Sequence, residues 1–302
     1  VDNSRTLKSS ATRRIVIGIL GASFFAAHPL AADEDRWTVN FQSGGQAVGS
    51  TVVALHGDKG SVLVSVAHQG GDLSKSAVQL GNRTVSANFA GYDSVSRLCF
   101  FRPVEGVPVQ APKWQGKATV PQGGILTARS GKIEVLGKME GWVYRIGGKV
   151  LPLALMKVNV GGTIPSPGTP LIDPSGTVAA VVFQKAEGER RVYAIPAEAV
   201  HRVAKDVALK GRLVRGWLGL SLRVENESPK IVRVFPGSPA GVVGIKEDDV
   251  ISKIGGRDVS DYAEVVNAFF YVVPGESVDI EVRRGQNILA FTVVPAVEKP
   301  GN

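Results

Sequence analysis

Few residues of this 302-residue chain are of a type, and at a spacing, that chemistry needs. Its four histidines, His28, His56, His68 and His201, stand far apart in unrelated contexts, and none has further His, Cys or carboxylate groups at a metal-ligand spacing. The single cysteine, Cys99, excludes an intramolecular disulfide. It lies in the apolar run Leu98-Cys99-Phe100-Phe101, the setting of a buried small hydrophobe rather than of a thiolate nucleophile. No metal and no cofactor are therefore expected. What remains is His68 and one unusual string, Thr163-Ile164-Pro165-Ser166-Pro167-Gly168-Thr169-Pro170-Leu171, in which a serine is held between two prolines. Neither proline has an N–H to donate, and both fix φ near −65°, so the string predicts a rigid turn with few backbone donors.

That string, continued by Ile172-Asp173-Pro174-Ser175-Gly176-Thr177-Val178, resembles the G-N-S-G-G-P-L signature of HtrA/DegP-type serine proteases. The resemblance places the nucleophile position at Pro167 and the two oxyanion-hole N–H positions at Pro165 and Pro167. It sets Ser65-Val66-Ala67-His68-Gln69 against the T-N-A-H-V motif of the general base, His68, and Asp93-Ser94-Val95-Ser96-Arg97-Leu98-Cys99 against D-x-x-x-D-L-A. Arg97 then stands where the orienting aspartate belongs, and Asp93 is the turn residue four positions earlier. A triad without its acid loses about 10⁴ in rate, and a fixed positive charge disfavours the imidazolium that forms in the transition state. The triad is thus implied to be degenerate at Arg97 and Pro167, with His68 retained.

A second set of strings resembles PDZ domains of the HtrA type: Arg215-Gly216-Trp217-Leu218-Gly219-Leu220, Val234-Phe235-Pro236-Gly237-Ser238-Pro239-Ala240, Gly244-Ile245-Lys246-Glu247-Asp248-Asp249-Val250-Ile251 and Pro274-Gly275-Glu276-Ser277-Val278. Leu218, Gly219 and Leu220 correspond to the loop whose backbone N–H groups capture a peptide's terminal carboxylate, with the leucines implied to line a pocket for an apolar terminal side chain. Asp248 replaces the glycine usual in the turn before Val250.

The elements that must position these residues follow from pattern. Short β-rich runs at 49–55, 61–66, 77–80 and 84–89, punctuated by Gly, Asp and Asn, argue for a barrel or a sandwich. The resemblance selects a trypsin-like double β-barrel followed by an α+β PDZ domain, a mainly β chain. A helix opens at Pro196 and stops at Gly211, with Val200, Val203 and Val207 as its apolar stripe. The expected organisation is a signal peptide over 1–32, a trypsin-like domain over 33–195, a linker helix over 196–210 and a PDZ domain over 211–297. The leader carries Arg13-Arg14, an apolar stretch from Ile15 to Ala27, and small Ala31-Ala32 before Asp33. It implies export to the periplasm or the medium, or a membrane-associated protein if it stays uncleaved.

The composition fits a globular protein, with 44% hydrophobic residues and a mean hydropathy of +0.09. The net charge of +8 is scattered and belongs in part to the leader, so no nucleic-acid partner is expected. The partners implied are protein C-termini or extended peptides, with a homo-oligomer also allowed by the resemblance. Two functions stand: a catalytically inactive serine-protease homologue that binds peptides or acts as a scaffold or quality-control partner, and an active endopeptidase of the HtrA class with an unorthodox site built on Ser166.

Overall fold

The computed structural model describes residues 37–297 apart from 44–45, 58–59, 69–70, 82, 105–108, 118–119, 131–132, 189 and 224–227. The leader expected over 1–32 lies outside the described residues. The first lobe has eight strands: β1 (Trp37–Ser43), β2 (Gln46–Thr51), β3 (Val53–Gly57), β4 (Gly60–Val66), β5 (Asp72–Leu80), β6 (Arg83–Val85), β7 (Ala87–Tyr92) and β8 (Leu98–Pro103). They make two antiparallel four-stranded sheets, ordered β2-β1-β5-β6 and β3-β4-β8-β7. The run read as one strand over 49–55 breaks at Val52, and the run over 84–89 breaks at Ser86, because the chain changes sheets at both points.

Strand alternation explains the uninterrupted apolar run at Leu98. Leu63 of β4, with Cys99 and Phe101 of β8, points into the core between the two sheets, beside Val39, Phe41 and Val78. Val64, Val66, Leu98 and Phe100 point the other way, into a core shared with the second lobe. A strand buried on both faces has no polar side to alternate with. Cys99 is fully buried there, and burial pushes its thiol pKa up, so it packs as a hydrophobe.

The second lobe is a closed barrel of β9 (Ile125–Ser130), β10 (Ile133–Ile146), β11 (Lys149–Val160), β12 (Pro170–Ile172), β13 (Val178–Lys185) and β14 (Arg191–Pro196), ordered β10-β11-β14-β13-β12-β9. Strand β13 is again apolar on both faces: Ala180 and Val182 enter the barrel core, while Val181 faces the core shared by the lobes. Helix α1 (Ala197–Lys210) follows and ends on Gly211, whose φ of 72° is the left-handed cap conformation. Val200, Val203 and Val207 are buried in the shared core, so α1 is part of the lobe packing rather than a free connector.

The remaining residues form β15 (Gly216–Trp217), β16 (Leu220–Leu222), β17 (Ile231–Val234), α2 (Pro239–Val242), β18 (Val250–Ile254), β19 (Arg257–Asp258), α3 (Tyr262–Phe270), β20 (Val278–Arg284), β21 (Asn287–Val293) and β22 (Ala296–Val297). Their own core gathers Leu218, Ile231, Ile251, Val265, Ile280 and Val293. This domain docks on the barrel through α3. The Ala154 N–H of β11 donates to Asn267 Oδ1 at 2.8 Å, Arg145 of β10 pairs with Asp261 at 2.9 Å, and Phe270 enters the shared core. The apolar pattern alone does not announce helix α3. Its sequence signal is the cap: Asp261 accepts the Glu264 N–H, and Glu264 reaches back to accept the Ser260 N–H.

Candidate functional site

The proline string folds as a tight turn. The Thr169 N–H donates to the Ser166 carbonyl at 3.1 Å, which makes Pro167 and Gly168 the two central residues. Gly168 has φ +78°, as the second central residue of a type II turn requires, and proline is favoured at the first. No larger residue fits at 168, since a Cβ there would lie 2.0 Å from the Thr51 carbonyl oxygen. The turn is bolted to the first lobe: Thr51 N–H donates to the Pro167 carbonyl at 2.9 Å, Ser65 Oγ donates to the Thr51 carbonyl at 2.7 Å, and the Thr51 and Thr169 hydroxyls meet at 3.1 Å. Ser65 is the penultimate residue of β4, three before His68. Pro165 is buried and Pro167 half-buried, and neither offers an N–H.

His68 and Arg97 line one cleft of 430 Å³, together with Tyr92, Leu73, Phe183 and Gln184. Strand β4 delivers His68 just past its end, and the Asp93 turn delivers Arg97. Asp93 Oδ2 accepts both the Ser96 N–H at 2.8 Å and the Ser96 hydroxyl at 2.6 Å, which makes it the turn residue expected. Arg97 is left-handed at φ 56°, and its carbonyl accepts the Ala67 N–H at 2.8 Å. Its guanidinium lies 3.9 Å from the centre of the Phe183 ring, with Nη2 donating to the Phe183 carbonyl at 3.3 Å and to Gln184 Oε1 at 2.8 Å. Arg97 therefore reaches across to the second lobe. Burial lowers its pKa, opposed by the nearby Tyr92, and no carboxylate among the described residues pairs with it. The His68 imidazole makes no hydrogen bond to a described residue, and none of the described residues lining the cleft is acidic.

The loop 218–220 is built differently from a plain core segment. Leu218 is 5% exposed, its side chain packed in the core of this domain, while Leu220 and Leu222 are half-buried against that core, as is Phe269 of α3. The Leu218 and Gly219 carbonyls face inward, accepting from Ala240 N–H and Phe235 N–H at 3.0 Å each. Their own N–H groups have no acceptor among the described residues. Gly219 has φ +77°, and an added Cβ would sit 2.1 Å from the Ser238 Cβ, so packing as well as backbone conformation demands glycine. Along β16, Gly219 and Arg223 direct their backbone groups to β17. Leu220 and Leu222 then direct theirs to the opposite edge, where no strand runs among the described residues.

Asp248 keeps the conformation of the glycine it replaces, with φ 69° and an ion pair to Lys230 at 2.7 Å. Beside it, Asp249 is buried and takes a two-pronged pair from Arg284, at 2.7 and 2.8 Å. Among the described residues no group of His, Cys, Asp or Glu is arranged to hold a metal ion, and no helix is long and apolar enough to cross a membrane.

Comparison with known proteins gives a consistent picture. The PDZ domain family matches residues 216–294. A putative serine protease HhoB of Synechocystis sp. is 29% identical over 149 residues, covering 42% of this chain and 36% of that protein. A probable periplasmic serine endoprotease, DegP-like, of Chlamydia muridarum is 27% identical over 155 residues, 46% of this chain and 29% of that one. The matches span about a third of the length of these relatives. Among solved structures, the HtrA-type protease AlgW with a tripeptide superposes with a TM-score of 0.63 at 17% identity, covering 89% of this chain and 96% of that one. The serine endoprotease from Yersinia pestis gives 0.56 at 18% identity, with 89% and 96% covered.

Proposed function

We propose that this chain, HtrA-like in its trypsin-type fold and trailing PDZ domain, binds peptide C-termini without cleaving peptides. The observation that carries the reading is the pair of N–H groups of Leu218 and Gly219, left without acceptors beside the open edge of β16. A backbone N–H left unpaired in a folded domain is costly, and a terminal carboxylate satisfies two at once. The peptide backbone would continue along Leu220 and Leu222 as an added strand, with its last side chain against Leu220, Leu222 and Phe269. The AlgW structures with bound peptides support this mode in a protein of the same fold.

The absence of hydrolysis rests on residues rather than on a missing fold. Pro167 supplies no hydroxyl at the nucleophile position, a loss on the order of 10⁶ in turnover for a hydrolase of this kind. Pro165 and Pro167 withdraw both oxyanion donors, each worth roughly 10² to 10³. Arg97 brings a cation, committed to Phe183 and Gln184, where a carboxylate would orient His68. Ser166 is held in the turn by its own carbonyl, and its neighbours still lack N–H groups. The relatives named as periplasmic support an exported protein acting on other proteins outside the cytoplasm, as scaffold or quality-control partner.

The test is direct. The purified chain should neither degrade unfolded casein nor take up a fluorophosphonate probe, and Pro167→Ser alone should stay inert because Pro165 and Arg97 are unchanged. Probe labelling of Ser166 would overturn the reading.

A further inference from the structure

Among the described residues, the cleft that holds His68 is rich in donors and lined by no acid. Arg97 spends only Nη2 on the protein; its Nε is buried without a partner, and Nη1 has no acceptor among the described residues. The His68 imidazole and the Tyr92 hydroxyl are also without hydrogen-bond partners there, and the Gln184 amide nitrogen makes no hydrogen bond to a described residue, its oxygen being taken by Arg97. A half-buried guanidinium with no counter-ion among the described residues is an unusual arrangement, since charges withdrawn from water are ordinarily paired. The neighbouring Asp93 makes no ion pair with it: its buried carboxylate is hydrogen-bonded by Ser96, although its charge still acts on Tyr92. Around these donors stand Leu73 and Phe183, a short apolar wall, and the volume of 430 Å³ is that of a small-ligand pocket.

We infer that this cleft is a receptor for a carboxylate carried on a short apolar body, held by Arg97 Nη1 with His68 and Tyr92 as further donors. A charge-assisted bond from Nη1 inside a partly dry cleft is worth more than its counterpart in water. The apolar wall favours a hydrocarbon tail over a bare inorganic oxyanion. The positions implied for hydrolysis would thereby serve capture. This site belongs to the barrel lobes, so it stands or falls independently of peptide binding at Leu218 and Gly219.

The experiment uses the full chain, with 3-methylbutanoate as the probe and 3-methylbutanamide and inorganic phosphate as comparisons. The readout is the His68 ring resonance in ¹H–¹⁵N spectra, assigned by its loss in His68→Gln, with affinity from calorimetry. The expected result is a saturable shift with the carboxylate and none with the amide. Arg97→Gln should weaken binding by about 10- to 100-fold, the worth of one hydrogen bond to a charged group. Tyr92→Phe, which keeps the ring packing and removes one donor, should weaken it several-fold and serves if Arg97→Gln does not fold. No saturable His68 shift, equal binding of acid and amide, an affinity untouched by Tyr92→Phe, or tighter binding of phosphate than of the carboxylate would each overturn the assignment.

Discussion

Removing the Asp206 carboxylate should destabilise the chain more than removing it together with its partner. Arg202 and Asp206 are one turn apart on α1, with exposures of 8% and 2%, and Nη1 meets Oδ2 at 2.6 Å. The same Oδ2 accepts the Val214 N–H at 2.8 Å, while Arg202 Nη2 donates to the carbonyls of Val214 at 2.8 Å and Val272 at 3.4 Å. The pair thus joins α1 to the segment leading into the PDZ domain. Asp206→Ala strands a buried guanidinium, a loss of about 3–5 kcal/mol, which includes the orphaned Val214 N–H. At about 2–4 °C per kcal/mol this lowers Tm by roughly 6–20 °C. Arg202→Met with Asp206→Leu removes the charge and leaves two backbone groups unpaired, the Val214 N–H and carbonyl, because the Val272 carbonyl still accepts the Gly216 N–H; at about 1–3 kcal/mol for that loss, the double variant should regain about 2 kcal/mol over the single one. Urea unfolding followed by far-UV circular dichroism, with calorimetric Tm, measures both. A double variant no more stable than Asp206→Ala would refute the reasoning that the unpaired charge dominates.

Asp248→Gly should stabilise the PDZ domain by roughly 0.5 kcal/mol, because relief of the left-handed strain, about 1 kcal/mol, exceeds the loss of an exposed ion pair to Lys230. Urea midpoints check the sign, and a clear loss of stability would contradict it. His201 donates Nε2–H to the Gln115 carbonyl at 3.1 Å and packs edge-on against Trp114, and burial lowers its pKa, opposed by that hydrogen bond. The folded chain therefore binds fewer protons than the unfolded one, and this contribution, complete above about pH 6.5, is lost as pH falls through the depressed folded-state pKa. His201→Gln should lose less Tm than the parent between pH 8 and pH 5; equal losses would argue against it.

Local chemistry was legible where it repeats along the chain. The loop at Gly219 was legible only through its resemblance to a PDZ carboxylate loop, whereas the burial of Cys99 within its apolar run and the Pro196 and Gly211 limits of α1 follow from short-range pattern. Sheet changes did not, because Val52 and Ser86 look like ordinary strand residues and only the tertiary pairing breaks the runs there. Arg97 was readable as an arginine at an aspartate's place, yet its fate depends on Phe183 and Gln184, 86 and 87 residues later. Arg202 and Asp206 look like a solvated pair on a helix surface, and only docking of the PDZ segment buries them. The unpaired N–H groups of Leu218 and Gly219 are likewise a property of the folded loop, since no residue type announces a donor without an acceptor.

The central claim is capture of a free carboxylate by the 218–220 loop. Calorimetric titration with a peptide ending in an apolar residue, as the free acid and as the amide, tests it most directly. Gly219 itself is a poor probe, because any Cβ there collides with Ser238. The acid should bind with Kd near the micromolar range, about −8 kcal/mol, and the amide at least about tenfold more weakly, a difference of about 1.4 kcal/mol or more. Equal affinity for the two forms would contradict the account.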